Sequence, residues 1–397
     1  MNSAGHRGAD GAKAESPLNP GDFVMRLVIA GAGTGGHLFP GIAVADELMK
    51  RSSGSRVLFI TTGRPVERTV LADRSFETSE ISASGFKGMG LLKKMGALTV
   101  LPRGLFQSLR LLKSFRADAV LGMGAYSSAP VLVAASLSGI PGFIHEQNRI
   151  AGMTNRWLGR FAKLVFVSFK DTCIGSNPGK IVYTGNPVRS EIRRCAKARM
   201  QVEGKDPEDQ FTVLVLGGSQ GASAINTAMT DAFSHITNPE KFRVIHQTGT
   251  RDEETVRLAY ESMGVEATVS AFFNDMESVY KQADLAVCRA GASTVAEIAA
   301  VGLPAVFVPF PHAADDHQAA NAEGLESAGA AEIIYEKDLN GRELARRLQY
   351  YQEDEASFKR FCAAAENAGR ADAASLIVDE IAASLTAKHR QKKQGRG

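Results

Sequence analysis

Short apolar runs alternate along the chain with segments of helical period. Runs rich in β-branched residues predict strands at 26–30, 57–61, 119–121, 142–144 and 164–167. After a polar stretch the alternation restarts, and it predicts strands at 212–216, 243–246, 285–288 and 305–308. Strands that alternate with helices are typical of parallel βαβ units. The pattern therefore predicts an α/β protein with two doubly wound halves.

Composition suggests where the domains begin and end. Residues 1–22 are rich in Gly, Ala, Ser, Pro and charge, which predicts a flexible extension. A charged stretch predicts a linker near 190–210, so we expect an N-terminal domain at 23–190 and a C-terminal domain at 191–364. An Ala-rich helix at about 365–385 is expected to pack back on the first domain. The basic segment 386–397 is predicted to be a disordered tail.

The overall composition excludes several classes of protein. With 44% hydrophobic and 22% charged residues the chain resembles a soluble globular protein. The formal charge of +3 becomes −2 without the five positive charges of the last ten residues, so basicity gives no reason to expect nucleic-acid binding. The four cysteines have neither disulfide nor zinc spacing, and no run of 18 apolar residues or signal peptide occurs. These features favour a reducing cytoplasm.

Three glycine-rich turns follow predicted strands, with the sequences GAGTGG at 31–36, GMGAYSS at 122–128 and GGSQG at 217–221. Backbone amides at the start of a helix can bind a phosphate. Each of these turns, taken alone, is equally explained as a tight turn from a strand to a helix. The first turn matches the dinucleotide fingerprint. However, the second strand ends in Thr61-Thr62-Gly63 without the acidic residue that a nicotinamide or flavin enzyme needs for the ribose.

Two polar residues lie at predicted helix starts. His37 directly follows the first glycine-rich turn. Glu297 follows Thr294 at the spacing of a capping box, so it is expected either to tie down the helix start or to accept hydrogen bonds from a ribose diol. Both interpretations of Glu297 remain open from the residues alone.

Five segments resemble, in order and spacing, the motifs of the MurG family: GTGGHLFP at 33–40, HEQN at 145–148, GNPVR at 185–189, GGSQGA at 217–222 and GASTVAE at 291–297. The resemblance extends from about residue 25 to residue 385. Members of that family convert lipid I, a lipid-linked muramoyl-pentapeptide, into lipid II for peptidoglycan. The resemblance implies a GT-B fold, with two Rossmann-like domains facing across a cleft. It also implies UDP-N-acetylglucosamine as donor, inversion at the anomeric carbon, and neither metal nor cofactor.

The resemblance also implies roles for individual residues. The implied donor-binding residues are Thr34, Gly35, Gly36, Asn148, Arg189, Ser219, Phe273, Ala292, Ser293, Thr294, Val295, Ala296, Glu297 and Gln318. The implied acceptor-diphosphate residues are Gly33, His37, Gly124, Tyr126 and Ser127. Position 273 is aromatic where the family usually has an aliphatic residue, which a backbone contact to uracil tolerates. Ala32 replaces the usual glycine.

His37 is the predicted catalytic base for the C4 hydroxyl of the muramoyl sugar. An unperturbed imidazole titrates near 6.5, so it is largely neutral and able to take a proton at cytoplasmic pH. The alternative is that His37 only donates a hydrogen bond to a phosphate or fixes the loop.

The segment 81–117 has no acidic residue and interleaves positive charges with apolar side chains. The charges are Lys87, Lys93, Lys94, Arg103, Arg110, Lys113 and Arg116. This composition suits an anionic membrane surface, most clearly in the loop 86–95. The leucines on the inner face of the helix at 104–115 are expected to belong to the core. We therefore expect a peripheral protein at the cytoplasmic face of the inner membrane, with other cell-wall synthesis proteins as candidate partners.

Three other functions fit parts of the sequence. Another GT-B glycosyltransferase acting on a glycolipid would share the donor half, but the HEQN motif and the first two turns argue against it. A UDP-sugar 2-epimerase would share the architecture and would act on the donor alone. A catalytically silent binding partner is disfavoured because His37, Arg189 and Glu297 are all present.

Overall fold

The computed structural model describes residues 23–31, 35–72, 74–83, 91–200, 210–218, 221–368 and 372–394. The side chains of 91–101, 196–200, 314 and 388–394 are not described, and the predicted extension 1–22 lies outside the described residues. The backbone forms two compact units. The first contains the described residues up to Pro187 and from Asp372 onward, and the second begins at Val188.

The first unit is built on a parallel sheet. Its described strands, numbered in chain order, are β1 (Arg26–Ala30), β2 (Arg56–Thr61), β3 (Glu77–Glu80), β4 (Ala119–Gly122), β5 (Gly142–Glu146), β6 (Leu164–Val167) and β7 (Ile181–Tyr183). They lie in the order β3-β2-β1-β4-β5-β6-β7. The chain reverses direction across the sheet between β1 and β4, which is where doubly wound sheets bind ligands.

Helices cover both faces of this sheet. They are α1 (Gly35–Arg51), α2 (Pro65–Ala72), α3 (Leu91–Phe115), α4 (Ser128–Leu137), α5 (Met153–Leu158) and, at the end of the chain, α14 (Ala373–Gln394). Successive side chains of a strand point to opposite faces. Leu27 and Ile29 of β1 therefore pack with α1 and α14, whereas Val28 and Ala30 pack with α3, α4 and α5.

The second unit repeats this design. Its strands are β8 (Phe211–Leu216), β9 (Phe242–Gln247), β10 (Glu266–Ser270), β11 (Leu285–Cys288), β12 (Ala305–Phe307) and β13 (Ala331–Ile333). Its helices are α6 (Ser190–Met200), α7 (Ser223–Phe233), α8 (Glu253–Ser262), α9 (Met276–Gln282), α10 (Ala292–Val301), α11 (His317–Ser327), α12 (Gly341–Glu353) and α13 (Glu355–Ala368). The parallel order β10-β9-β8-β11-β12-β13 places the switch point between β8 and β11.

The predicted α/β class and the central strands are confirmed, and the edges of the sheets differ. The sequence pattern did not predict β3, β7, β10 or β13. These strands are short and incompletely buried, so they carry little apolar signal. The predicted linker is wrong in its first half, because 190–200 form α6. Ile192 and Cys195 of α6 are fully buried in the core of the second unit.

The C-terminal segment also differs from its prediction. Residues 365–368 belong to α13 in the second unit, and the helix that packs on the first unit begins at Ala373. There Ile377 and Ile381 are fully buried, and Arg51 of α1 forms an ion pair with Asp379 at 2.6 Å. The predicted disorder is wrong for 386–394, which continue α14, because Ala, Lys, Arg and Gln are good helix formers. Residues 395–397 lie outside the described residues.

The inner-face leucines of α3 belong to the core, as predicted. Leu112 is 1% exposed, and Leu105 and Leu109 pack against the same apolar cluster. Of the helices in the described ranges, none combines the length and the apolar content that crossing a bilayer requires. The prediction of a loop at 86–95 is wrong for residues 91–95, which form the first turns of α3. Residues 86–90 and the side chains of 91–95 lie outside the described part.

A buried polar network stabilises the second unit beneath its glycine-rich turn. His246 at the end of β9 lies with Nδ1 3.0 Å from the Tyr260 hydroxyl and with Nε2 3.0 Å from Asn226 Oδ1. Asn226 in turn donates to the carbonyl of Thr248 at 3.0 Å. Burial lowers the pKa of His246 to about 3, so the imidazole is neutral at neutral pH.

This burial predicts that acid destabilises the protein. In the unfolded chain a histidine binds its proton near pH 6.5, whereas folded His246 binds it only near pH 3. The contribution of neutral His246 to the free energy of unfolding is therefore fully present above pH 6.5. It falls by about 1.4 kcal/mol per pH unit as the pH drops toward 3. In His246→Gln, urea denaturation between pH 6 and pH 4 is expected to show a shallower pH dependence. A slope equal to that of the wild type would contradict the prediction, and unfolding at pH 8 measures the packing loss separately.

Candidate functional site

The two turns at the switch point of the first unit are tied to each other. The Met123 amide donates to the carbonyl of Ala30 at 2.8 Å, and the Ser128 hydroxyl donates to the same carbonyl at 2.8 Å. Gly124 and Ala125 both adopt left-handed conformations, with φ of 88° and 59°. Gly33 and Thr34 lie outside the described residues, and Gly35 and Gly36 open α1.

His37 lies at this switch point. It is the third residue of α1, so its backbone lies at the positive end of the helix dipole. Its imidazole lies against Gly124: a Cβ atom added to Gly124 would be 3.3 Å from His37 Nε2 and 3.1 Å from Cδ2. A side chain at position 124 would therefore displace the ring. The structure brings together two residues that the sequence placed 87 positions apart.

The HEQN segment at the end of β5 is organised by Glu146. This carboxylate is 1% exposed and accepts hydrogen bonds from the Asn148 amide at 2.9 Å, Asn148 Nδ2 at 3.3 Å, the Gly152 amide at 3.0 Å and Asn155 Nδ2 at 2.9 Å. A buried carboxylate needs such donors to offset its lost hydration. Glu146 therefore fixes the position of Asn148, a predicted donor-binding residue, although the sequence analysis assigned Glu146 no role of its own.

His145 lies beside His37 and is completely buried. Its Nε2 is 3.1 Å from the carbonyl of Gly185, so this nitrogen carries the hydrogen. Burial lowers the pKa of His145 to about 4; the hydrogen bond opposes this shift and the neighbouring His37 adds to it. His145 is thus neutral at neutral pH, and the two imidazoles do not repel each other as cations.

Several buried polar atoms around His37 lack a protein partner among the described residues. They are His145 Nδ1, Gln147 Oε1 and Asn155 Oδ1. Gln147 and Asn155 are held from their other ends, since both donate through their amide nitrogens to backbone carbonyls. Buried polar groups are normally paired, so orphaned acceptors in one cluster indicate a polar site that water or a ligand completes.

Two predicted acceptor residues have protein surroundings of their own. The Tyr126 hydroxyl accepts a hydrogen bond from Arg64, whose guanidinium lies 5.7 Å from the tyrosine ring centroid. Ser127 is fully buried, with no partner for its hydroxyl within the described residues. The bond from Arg64 uses Tyr126 as an acceptor and leaves its O–H able to donate. Contact of Tyr126 and Ser127 with a diphosphate stays a prediction.

The switch point of the second unit has a comparable turn after β8. Gly218 and Gly221 have φ of 85° and 73°. A Cβ atom on Gly221 would lie 2.1 Å from the carbonyl oxygen of Thr248, so only glycine fits there. Ser219, predicted to bind the donor, lies outside the described residues.

Gln247 connects this turn to Phe273, and the sequence analysis missed it. Its Nε2 donates to the carbonyl of Gly218 at 3.2 Å, and its Oε1 accepts from the Phe273 amide at 3.0 Å. Gln247 is 5% exposed at the end of β9. The sequence feature that could have identified Gln247 is a glutamine at the end of an apolar strand, beside a glycine-rich turn. The contact fixes the backbone predicted to meet the uracil.

Glu297 does not form the capping box considered from the sequence. Gly291 is the N-cap of α10, so Thr294 lies inside the helix and Glu297 begins its second turn. The carboxylate points inward, is 11% exposed, and accepts from Arg189 Nη2 at 3.0 Å and from the Tyr280 hydroxyl at 3.1 Å. Arg189 and Glu297 are thus brought together, beside the helix start 292–296.

Gln318 and Arg289 order the neighbouring turn after β12. Gln318 Oε1 accepts from the Phe310 amide at 2.9 Å. Arg289 donates through Nη1 to the carbonyls of Val308 and Pro309, at 3.1 and 3.2 Å, and pairs with Glu336. In the described ranges, no group of three His, Cys, Asp or Glu side chains is placed to hold a metal ion.

Sequence comparison identifies relatives over most of the chain. Residues 27–167 match the glycosyltransferase family 28 N-terminal domain, and residues 212–377 match the glycosyltransferase family 28 C-terminal domain. A UDP-N-acetylglucosamine--N-acetylmuramyl-(pentapeptide) pyrophosphoryl-undecaprenol N-acetylglucosamine transferase from Geobacter metallireducens is 45% identical over 369 residues, which are 93% of this chain and 100% of that protein.

Solved structures agree with this similarity. The crystal structure of Acinetobacter baumannii MurG has a TM-score of 0.70 and 31% identity, covering 90% of this chain and 99% of that one. A UDP-GlcNAc 2-epimerase from Neisseria meningitidis bound to UDP-GlcNAc has a TM-score of 0.61 and 12% identity, covering 90% and 99%. At 12% identity the second likeness shows the fold alone.

The Glu146 network predicts a specific local loss. Glu146→Gln keeps the shape but places an NH₂ group where an oxygen accepts from at least one of the Asn148 and Gly152 amides. A donor facing a buried donor is expected to cost about 1–3 kcal/mol. Amide hydrogen exchange should accelerate at Asn148 and Gly152, with the second unit unchanged as an internal control. Wild-type protection at both amides would show that the carboxylate does not organise this segment.

Proposed function

Because the chain belongs to glycosyltransferase family 28 and, within it, to the MurG family, we infer that it transfers N-acetylglucosamine from UDP-N-acetylglucosamine to lipid I. The acceptor is undecaprenyl-diphospho-N-acetylmuramoyl-pentapeptide, and the product is lipid II, the disaccharide precursor of peptidoglycan. The structural observation that carries the site assignment is the His37 imidazole against Gly124 at the switch point of the first unit.

The proposed transfer inverts the anomeric carbon in a single displacement. The C4 hydroxyl of the muramoyl sugar attacks that carbon, the bond to the β-phosphate oxygen breaks, and UDP leaves. His37 takes the hydroxyl proton. Its place in the first turn of α1, beside the glycine-rich turn after β4, supports this role, because an acceptor diphosphate held by those turns brings its sugar to the imidazole.

The proposed stabilisation of the departing UDP uses protein groups and no metal. Arg189, Ser219 and the start of α10 supply a guanidinium, a hydroxyl and backbone amides. Such donors are already oriented toward the position where negative charge develops, so they need not reorient during the reaction. The 292–296 amides at the positive end of α10 support this assignment, as does the proximity of Arg189 to that helix through Glu297.

Recognition of the nucleoside is assigned to two groups of the second unit. The backbone at Phe273 contacts the uracil, and its fixed position, held by Gln247, supports that role. Glu297 accepts hydrogen bonds from the ribose hydroxyls, since a carboxylate has about four lone-pair sites and the bonds from Arg189 and Tyr280 occupy two. Gln318 and Asn148 complete the donor set proposed from the family.

The acceptor's polyprenyl chain stays in a bilayer, so we place the protein at the cytoplasmic face of the inner membrane as a peripheral protein. The outer face of α3 supports this location. Arg103, Phe106, Arg110 and Lys113 are all exposed, and their spacing puts them on one helix stripe. Helix α5 and the turn after it also expose Met153 and the edge-to-face pair Trp157 and Phe161, whose ring centroids lie 5.5 Å apart. Basic and aromatic side chains together suit anionic lipid headgroups.

Two reaction mixtures, with and without lipid I, separate this function from its rivals. Purified protein with labelled UDP-N-acetylglucosamine and lipid I should form a labelled lipid-linked disaccharide. The mixture without lipid I should leave the donor unchanged, whereas a 2-epimerase would convert it. A silent binding partner would yield no product in either mixture.

The role of His37 gives a kinetic prediction. His37→Ala should lower kcat by about 10²–10⁴ because the attacking hydroxyl loses its base. The donor KM should change little, since the imidazole acts on the acceptor. His312→Ala, which removes an exposed histidine of the second unit, is the matched control. A kcat close to that of the wild type would exclude His37 as the base.

The α3 stripe gives a membrane-binding prediction. Replacing Arg103, Arg110 and Lys113 by Gln removes three charges, each worth about 1 kcal/mol beside anionic lipid, so partitioning should weaken by about 10²-fold at low salt. Flotation with phosphatidylglycerol vesicles measures this, with neutral vesicles for reference. The control replaces Arg257, Arg346 and Lys359 of the second unit by Gln, which changes net charge equally. Equal loss in both variants would contradict a specific surface.

A further inference from the structure

Glu297 is held by two donors that come from different parts of the second unit. Arg189 immediately precedes α6 and donates through Nη2 to Oε1 at 3.0 Å. Tyr280 belongs to α9 and donates through its hydroxyl to Oε2 at 3.1 Å. Each oxygen of the carboxylate therefore has its own donor. Two bonds fix both the position and the plane of the carboxylate, whereas one bond would allow it to rotate.

Tyr280 is suited to this task by its surroundings. It is fully buried among Val279, Val295 and Ile298, with α10 packed on the same face of the sheet. Burial, and next the charge of Glu297, raise the pKa of Tyr280 well above its usual value. The hydroxyl therefore keeps its proton and is always a donor. A buried ring on a packed helix also has little rotational freedom to lose when the nucleotide binds.

We propose that Tyr280 is a positioning residue for ribose recognition: its hydroxyl orients Glu297 so that the unused carboxylate lone pairs meet the cis-diol of the donor. The inference rests on the proposed role of Glu297. Tyr280 touches neither substrate nor reacting atoms, and it acts only through the carboxylate. It therefore contributes to the choice of a ribonucleotide over a 2′-deoxyribonucleotide, beyond its contribution to packing.

The test is Tyr280→Phe in the full-length protein. Phenylalanine keeps the ring and removes only the hydroxyl. We expect the KM for UDP-N-acetylglucosamine to rise about 5- to 20-fold, with kcat within about twofold. This is less than the roughly 10- to 150-fold expected for losing a whole hydrogen bond to a charged group, because the bond from Arg189 still holds Glu297. We also expect the ratio of the inhibition constants of 2′-deoxy-UDP and UDP to fall toward one, because a loosely held carboxylate distinguishes the 2′-hydroxyl less well.

Tyr260 provides a matched control in the same unit. It is also a fully buried tyrosine, and its hydroxyl lies 3.0 Å from the buried His246 in the apolar cluster that does not contain Tyr280. Tyr260→Phe should lower the melting temperature while leaving the donor KM and the inhibition ratio unchanged. A purely structural role for Tyr280 would give Tyr280→Phe that same result, and the proposal would be overturned.

Glu297→Ala separates this inference from the function on which it rests. If Glu297→Ala leaves the inhibition ratio unchanged, Glu297 does not bind ribose and the underlying assignment fails. If Glu297→Ala lowers the ratio but Tyr280→Phe does not, only the positioning role fails. In the double variant, Tyr280→Phe should have no further effect on the ratio, since its action passes through Glu297. An additive effect in the double variant would contradict the proposal.

Discussion

Two buried carboxylates determine how the polar ends of both sheets are built. A carboxylate removed from water is costly unless its oxygens accept hydrogen bonds, and each unit contains one carboxylate that meets this requirement. In the first unit Glu146 accepts hydrogen bonds from the backbone amides of Asn148 and Gly152 and from the side chain of Asn155. In the second unit Glu297 accepts hydrogen bonds from Arg189 and Tyr280. Two of the proposed donor-binding residues, Asn148 and Arg189, bind directly to these carboxylates.

The parallel sheets place these groups where ligands bind. In both units the turns after two neighbouring strands meet where the chain reverses direction: after β1 and β4 in the first unit, and after β8 and β11 in the second. Glycines at these turns let other groups approach the backbone, as His37 does at Gly124 and Thr248 does at Gly221. Main-chain amides at such turns are suited to diphosphates, and both proposed substrates carry one. The same local chemistry is therefore proposed for the donor and for the acceptor.

Much of this arrangement was predictable from the residues. The apolar runs of β1 and β8 and the glycine-rich turns after them predicted the α/β class and the location of His37. The edge strands were not predictable, because β3 is the polar, largely exposed segment ETSE, which is a strand only because it pairs with β2. The start of α6 was mistaken for a linker, because its charges conceal Ile192 and Cys195, which are buried only in the tertiary structure. Tyr280 and Gln247 had no motif to identify them.

The sequence by itself predicted which strands form the centres of the sheets and where the glycine-rich turns lie, because apolar period and glycine spacing are local properties of the chain. Tertiary structure alone decided the partners of the candidate site residues. It rejected the capping box at Thr294 and Glu297, because Gly291 is the N-cap of α10 and Glu297, in the second turn, binds Arg189 and Tyr280. The physical reason is that a buried carboxylate takes whichever donors the fold brings within about 3 Å, and those donors lie far away in sequence.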